Sequence, residues 1–168
     1  QVLWWSAGEG DSDAMGAAVL DLFGGTGNVR MDTAQMAREA LEMSSTPPWA
    51  HVVVAATGVT SAGSHRSGAL ELETLAGCLV LMQATLSMPA EAHRPHMWLV
   101  TRGSQGPGAS TSVHAGLWGM ARSVRAEKGD ELRCVSVDVD PVLSADAAAA
   151  RLHDEIVHWK DSADEVSL

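Results

Sequence analysis

Two short apolar runs, His51–Ala56 (HVVVAA) and His96–Thr101 (HMWLVT), constrain the fold of this chain more than any other feature of it. A strand with one wet face alternates apolar and polar residues. A run with no polar break is covered on both faces, as in a parallel sheet sandwiched between helices. The rest of the chain supplies the pattern that such a sheet needs. Val2–Ala7 reads as a first strand, and Asp11–Phe23 as a helix with Ala14, Met15, Ala18, Val19, Leu22 and Phe23 on one stripe, stopped by Gly24-Gly25. Asn28–Met31 is a short second strand. Asp32 or Thr33 then caps a helix to about Met43, which Pro47-Pro48 breaks. After His51–Ala56, the loop Thr57–Ser67 leads to a helix from Gly68 to about Ser87, closed by Pro89. Beyond His96–Thr101, the loop Gly103–Ser112 leads to a helix from Val113 to Glu127. Leu132–Val139 is the last clear strand and Ser144–Trp159 a closing helix. About five strands alternating with five helices predict an α/β fold, a doubly wound, mostly parallel sheet with right-handed crossovers. At 168 residues, 1–168 is one domain.

Composition narrows the function. Hydrophobic residues make up 46% and charged residues 19%, enough for a packed core. The apolar runs are short, so no membrane span is expected, and the N-terminus has no basic region of a signal peptide. A chain beginning at Gln1 without Met reads as a fragment or processed piece. The net charge is −10, and Glu127–Leu168 alone holds 11 acids against 4 bases. Such a surface repels phosphate backbones, so no nucleic-acid partner is expected. Cys78 and Cys134 lie in apolar stretches without CxxC spacing, as buried thiols in a reducing compartment do. There is no tyrosine, and the only lysines are Lys128 and Lys160.

The chemical motifs are incomplete. Gly8 and Gly10 could open a dinucleotide loop, but Asp13 replaces its third glycine, and Glu9 and Asp11 put negative charge where phosphate would sit. Val19–Asn28 (VLDLFGGTGN) is similar to the first motif of class I methyltransferases. That reading needs Val19–Phe23 to be a strand, and the next strong strand, His51–Ala56, lacks the terminal acid that would hold a ribose. The alternative is a helix end capped by glycines.

His93 and His96 flank a turn, and His153 and His158 are five apart, so neither pair has metal-ligand spacing; all four read as surface residues and no metal is expected. Ser64-His65 gives no triad geometry, and there is no G-x-S-x-G elbow. The six tryptophans (Trp4, Trp5, Trp49, Trp98, Trp118 and Trp159) read as core packing. A short-chain reductase needs a Ser after the fourth strand and a Tyr-x-x-x-Lys on the next helix. Ser104 is in place, but Ser112–Trp118 offers neither Tyr nor Lys.

Four segments in order carry a resemblance: Met97–Gly103 (MWLVTRG), Gly116–Ser123 (GLWGMARS) with Glu127 beyond it, Val137–Pro141 (VDVDP), and Asp164–Leu168 (DEVSL). Together they resemble the structural subdomain of modular polyketide synthase ketoreductases. A related pseudo-ketoreductase exists in fatty acid synthases and fungal polyketide synthases. Lys128-Gly129, where that family often has His-Pro, and the glycine-rich loop Gly103–Gly108 depart from the pattern.

The resemblance implies a truncated Rossmann-like subdomain without catalytic, cofactor-binding or metal-binding residues, whose motif residues are Thr101, Arg102, Gly103, Trp118, Gly119, Arg122, Glu127, Asp138 and Asp140. It implies that NADPH is bound in a partner catalytic subdomain of the same polypeptide, which reduces a β-ketoacyl group on an acyl carrier protein among other synthase domains in the cytoplasm. Trp118 is then expected to fill the gap between helix and sheet, Gly119 to allow close approach, and Arg122 to pair with Glu127, Asp138 or Asp140. Two alternatives stay open: an S-adenosylmethionine methyltransferase using Gly24–Gly27, and an acidic protein-docking module. A strand at Val19–Phe23 would favour the first, and the absence of any exposed apolar face the second.

Overall fold

The computed structural model describes residues 1–6, 11–24, 29–31, 33–42, 49–57, 65–89, 93–105, 109, 113–129, 131–159 and 163–168. Its elements follow the alternation closely. Strands β1 (Val2–Ser6), β2 (Val29–Met31), β3 (His51–Ala56), β4 (His96–Arg102), β5 (Cys134–Val139) and β6 (Glu165–Ser167) are separated by helices α1 (Asp11–Phe23), α2 (Ala34–Glu42), α3 (His65–Leu86), α4 (Ala115–Lys128) and α5 (Ala145–His158). All strand pairs are parallel, in the order β2-β1-β3-β4-β5-β6. The sheet is therefore one strand larger than the five expected. The sixth strand comes from the tail, where one valine between two polar residues gives little periodic signal.

The two faces bury separate cores. Leu3, Trp5, Val52, Val54, Met97 and Leu99 point to the side covered by α2, α3 and α4, where Leu41, Cys78, Leu81, Met82, Leu117 and Ala121 meet them. Val2, Trp4, Val53, Trp98, Val100, Val135 and Val137 point to the opposite side, against Met15 and Val19 of α1 and Ala148, Leu152 and Ile156 of α5. This doubly covered sheet is what the unbroken runs demanded. On α1 the buried stripe is narrower than expected: Ala14 and Leu22 are exposed. The stretch Gly68–Leu86 of α3 has the length and composition of a membrane span, a feature the short apolar runs had concealed. It packs along the sheet with one face in the core.

β1 places a tryptophan on each face, and each is met by a glycine. A Cβ at Gly16 would lie 2.5 Å from Trp4 Nε1, and one at Gly77 would lie 2.8 Å from Trp5 Cζ2. Both distances are far inside van der Waals contact, so the helices approach β1 closely only because these side chains are hydrogens.

Five of the six tryptophans are buried, and Trp159 is half-buried. Trp98 and Trp159 enter an aromatic cluster at the amino-terminal ends of β3 and β4. Trp98 Nε1 donates to His51 Nδ1 (3.1 Å), His96 packs edge-on against Trp159 with ring centroids 5.1 Å apart, and His153 against Phe23 at 4.7 Å. His93 and His158 are exposed, but His96 and His153 are half-buried in this cluster, contrary to the expectation of surface histidines. Among the described residues no group of three His, Cys, Asp or Glu could hold a metal.

Burial, with His96, the chain's amino terminus and His93 nearby, pushes His51 down to about 4. The folded protein thus keeps His51 neutral where an unfolded chain, with a pKa of about 6.5, takes up a proton. The His51 contribution to stability is complete above pH 6.5 and is lost as pH falls from about 6.5 to about 4. Denaturant midpoints at about pH 7.5 and about pH 5 should show this loss. His51→Gln, which still accepts from the indole, should flatten it. An equal drop in both proteins would reject His51 as its source.

Candidate functional site

In a parallel α/β sheet, ligands bind beyond the carboxyl ends of the strands, at the point where strand order reverses. Here that point lies between β1 and β3. Residues 7–10, which include the degenerate Gly8-Glu9-Gly10 loop, lie outside the described residues, as do Gly25–Gly27, Asp32, Ser64 and Gly106–Gly108. Immediately after Gly10, α1 begins at Asp11, so Asp11 and Asp13 fall in its first turn. Acidic residues in a helix's first turn complement its dipole.

Val19–Phe23 is the last part of α1, and the Gly24 amide donates back to Asp21 O (3.1 Å). A helix at that place removes the methyltransferase reading, which required a strand. The amphipathic spacing across Asp11–Phe23 had already described this helix, and the GGTG segment begins as its cap.

The best-defined polar cluster sits at the carboxyl ends of β4 and β5. Thr101 and Asp138 are register partners, and both side chains face α4. The Thr101 hydroxyl donates to Asp138 Oδ1 (2.6 Å) and accepts from Trp118 Nε1 (3.0 Å). Asp138 also accepts from the backbone amides of Ser104 at Oδ1 and Gln105 at Oδ2, both at 3.0 Å. Gly103 makes this geometry possible. Its φ of +63° turns the chain after β4, while its own amide donates to Val139 O (3.0 Å). The Asp138 side chain, only 4% exposed, is thus a buried carboxylate satisfied by three donors, none of them cationic. A carboxylate so bonded fixes a loop.

Ser104, at the position a reductase would use for catalysis, is buried and its hydroxyl donates to Val113 O (2.8 Å). The following residue, His114, is the N-cap of α4 in a left-handed conformation (φ 66°), with no side-chain capping bond. It is 2% exposed, neither ring nitrogen has a hydrogen-bond partner among the described residues, and burial lowers its pKa against the opposing charge of Glu71. Sequence periodicity gave no sign of this residue, since left-handed backbone at a non-glycine residue leaves no pattern.

The remaining motif residues scatter. Arg102 donates to Pro141 O (3.1 Å) and to Leu143 O, tying β4 to the turn after β5. Asp140 Oδ1 accepts from the Val142 amide (2.8 Å) in that turn. Glu127 is exposed on α4. Two expectations are corrected. Gly119 is exposed with nothing within 4 Å of a built Cβ, so it serves no close approach; on a helix its position beside Trp118 turns it outward. Arg122 pairs with none of Glu127, Asp138 or Asp140. It makes a two-pronged bond to Glu165 of β6, with Nε to Oε1 at 2.7 Å and Nη2 to Oε2 at 2.9 Å. Cys78 and Cys134 are buried free thiols; burial pushes Cys78 well above the usual range and Cys134 up to about 12.

Residues 3–162 match the model of the Rossmann fold domain of the polyketide synthase extender module SpnB. The chain belongs to this family. No curated protein matches it. Among solved structures, a short-chain dehydrogenase/reductase from Vibrio parahaemolyticus superposes with TM-score 0.67 at 16% identity, covering 100% of this chain and 99% of that one. A structure of A-type ketoreductases from a modular polyketide synthase gives 0.66 at 21%, covering 99% of this chain but 35% of the other. A small-chain dehydrogenase gives 0.66 at 13%, covering 100% and 95%. At these identities the likeness is one of fold. Within the family, the domain is the Rossmann-like part of a polyketide synthase module, and it spans about a third of the ketoreductase chain that it resembles.

Proposed function

We propose that the chain is the non-catalytic structural subdomain of a polyketide synthase ketoreductase, bracing a separate catalytic subdomain of the same polypeptide. The observation that carries this reading is the outer stripe of α3. Leu72 is 68% and Leu79 45% exposed, with Ala76 exposed between them. Beside this stripe, α4 turns Gly116 and Gly119 outward, and Gly116 lies against Leu75 of α3. Large apolar residues on one helix next to a flat face on its neighbour form a surface that favours burial against a partner. An acidic docking module with a fully polar exterior leaves that stripe unexplained.

Chemistry supports the same division of labour. The chain has no tyrosine to protonate a carbonyl. The Ser104 hydroxyl is spent on Val113 O, and acids head α1. NADPH, the β-ketoacyl group and its acyl carrier protein then belong to the catalytic partner and the other synthase domains, in the cytoplasm. This chain binds no cofactor, metal, nucleic acid or membrane. Calorimetric titration with NADPH should give no saturable heat; saturable binding would overturn the reading. Leu72→Glu with Leu79→Glu in the parent synthase should leave this subdomain's own unfolding nearly unchanged, since both residues are exposed. Ketoreduction should fall by about tenfold or more, as charges buried unpaired at an interface cost at least about 1.4 kcal/mol. Unchanged ketoreduction would reject this face as the docking surface.

A further inference from the structure

β6 is held to the sheet in an unusual way. Among the described residues it is three residues long, slightly buried and paired with β5. A strand this short on an edge has little ladder to retain it. Its hold comes instead from α4. Arg122 and Arg125 stand one turn apart on that helix and converge on a single carboxylate, with Arg125 Nη2 reaching Glu165 Oε1 at 2.6 Å beside the two-pronged bond from Arg122. Arg125 Nη1 also donates to Cys134 O (3.1 Å), Ser136 Oγ (3.3 Å) and Asp164 O (3.4 Å), so one guanidinium bridges β5 and the entry to β6. Isolated surface ion pairs contribute little. Forked geometry and a shared carboxylate are the conditions under which they contribute more.

The far end of β6 leads to the Asp138 cluster. The Leu168 amide, immediately after β6, donates to Asp138 O (2.9 Å) and the Asp140 amide to Leu168 O (2.8 Å), so the end of β6 holds the carbonyl of the very residue whose side chain fixes Ser104 and Gln105. The circuit closes through α4, because the Arg122 guanidinium lies 6.0 Å from the centre of the Trp118 ring, and Trp118 bonds Thr101, which bonds Asp138.

We propose that Arg122, Arg125 and Glu165 form an electrostatic clasp that makes β6 a releasable strap, and that the seating of this strap sets the order of the Gly103–Gln105 corner. The clasp operates within this chain, whether or not a catalytic partner exists. It is part-exposed, with the Arg122 side chain 58% and the Glu165 side chain 34% accessible, so it is open to screening. Raising salt from about 0.1 M to about 1 M shortens the screening length from about 10 Å to about 3 Å.

Amide hydrogen exchange on the full chain tests this directly. In Glu165→Gln, the Leu168 and Ser136 amides should exchange about tenfold faster, with the Ser104 and Gln105 amides following, while Val53 and Leu99 in the sheet centre keep their protection. High salt should reproduce that pattern in the wild type and add little in Glu165→Gln. Arg122→Lys, which keeps the charge and loses the fork, should fall between. Unchanged Leu168 exchange under both Glu165→Gln and high salt would overturn the clasp. Faster Leu168 exchange with Ser104 and Gln105 unmoved would overturn the coupling. Equal acceleration of Val53 would show global loosening and overturn the strap. Should Glu165→Gln fail to fold, the wild-type salt series decides between the same outcomes.

Discussion

Trp118→Ala is expected to lower the unfolding free energy by ~3–5 kcal/mol, the range for deleting a large buried aromatic. Trp118 is 4% exposed between α4 and the sheet, and its indole N–H is bonded to Thr101. The truncation therefore opens a cavity and also removes a donor from a buried network. For a chain of this size, about 2–4 °C of melting temperature goes with each kcal/mol, which gives a drop of roughly 6–20 °C. Trp118→Phe separates the two contributions. It keeps most of the volume but loses the N–H and part of the second ring, so it should cost on the order of 1–2 kcal/mol. Thermal denaturation of the three proteins checks both figures. An alanine variant that melts with the wild type would mean that α4 does not rest on this side chain.

The second large effect is expected where nothing is removed. Gly77→Ala adds one methyl group to α3 directly against Trp5, with Ala34 of α2 also 3.0 Å away. Trp5 is 3% exposed and its ring has little room to retreat. Overpacking of this kind costs typically ~1–3 kcal/mol, and occasionally more where the obstruction is rigid. The variant Trp5→Leu removes the obstructing ring. Combining the two substitutions should therefore cost less than the sum of the singles, because the second relieves the strain of the first. Strict additivity in urea or thermal unfolding would show that Gly77 and Trp5 do not meet.

Much of this fold was legible in the sequence because buried strands carry their own signature. His51–Ala56 and His96–Thr101 needed no partner to be recognised, and Ser144 marked the start of α5, where its hydroxyl accepts from the Ala147 amide (3.3 Å). Glu165–Ser167 was invisible as a strand, since three residues with one valine carry no period; its place depends on Arg122 and Arg125 far away in sequence. The clasp could not be read for the same reason. Arg122 has five acids within eighteen residues on its carboxyl side, yet pairs with one 43 residues on. The close approach that the resemblance implied for Gly119 failed because the direction a helical residue faces is fixed only once the sheet is in place. The Gly16 and Gly77 contacts needed the faces of Trp4 and Trp5 first. The polar cluster was half legible: Thr101 and Asp138 were singled out as motif residues, but their register pairing and the backbone amides that Asp138 gathers belong to the folded sheet.

The strand order has a consequence for how the chain is made. β2 takes the far side of β1, and from β3 onward the sheet grows to the other side only: β3 beside β1, β4 beside β3, β5 beside β4 and β6 beside β5. During synthesis the sheet can therefore extend in one direction, each new strand meeting a finished edge and each new helix covering the face just made. The exposed edge of the moment is also where a nascent chain is most open to pairing with a stranger. β6 adds the next strand to that edge, and its Glu165 is held by Arg122 and Arg125 of α4, the helix made just before β5.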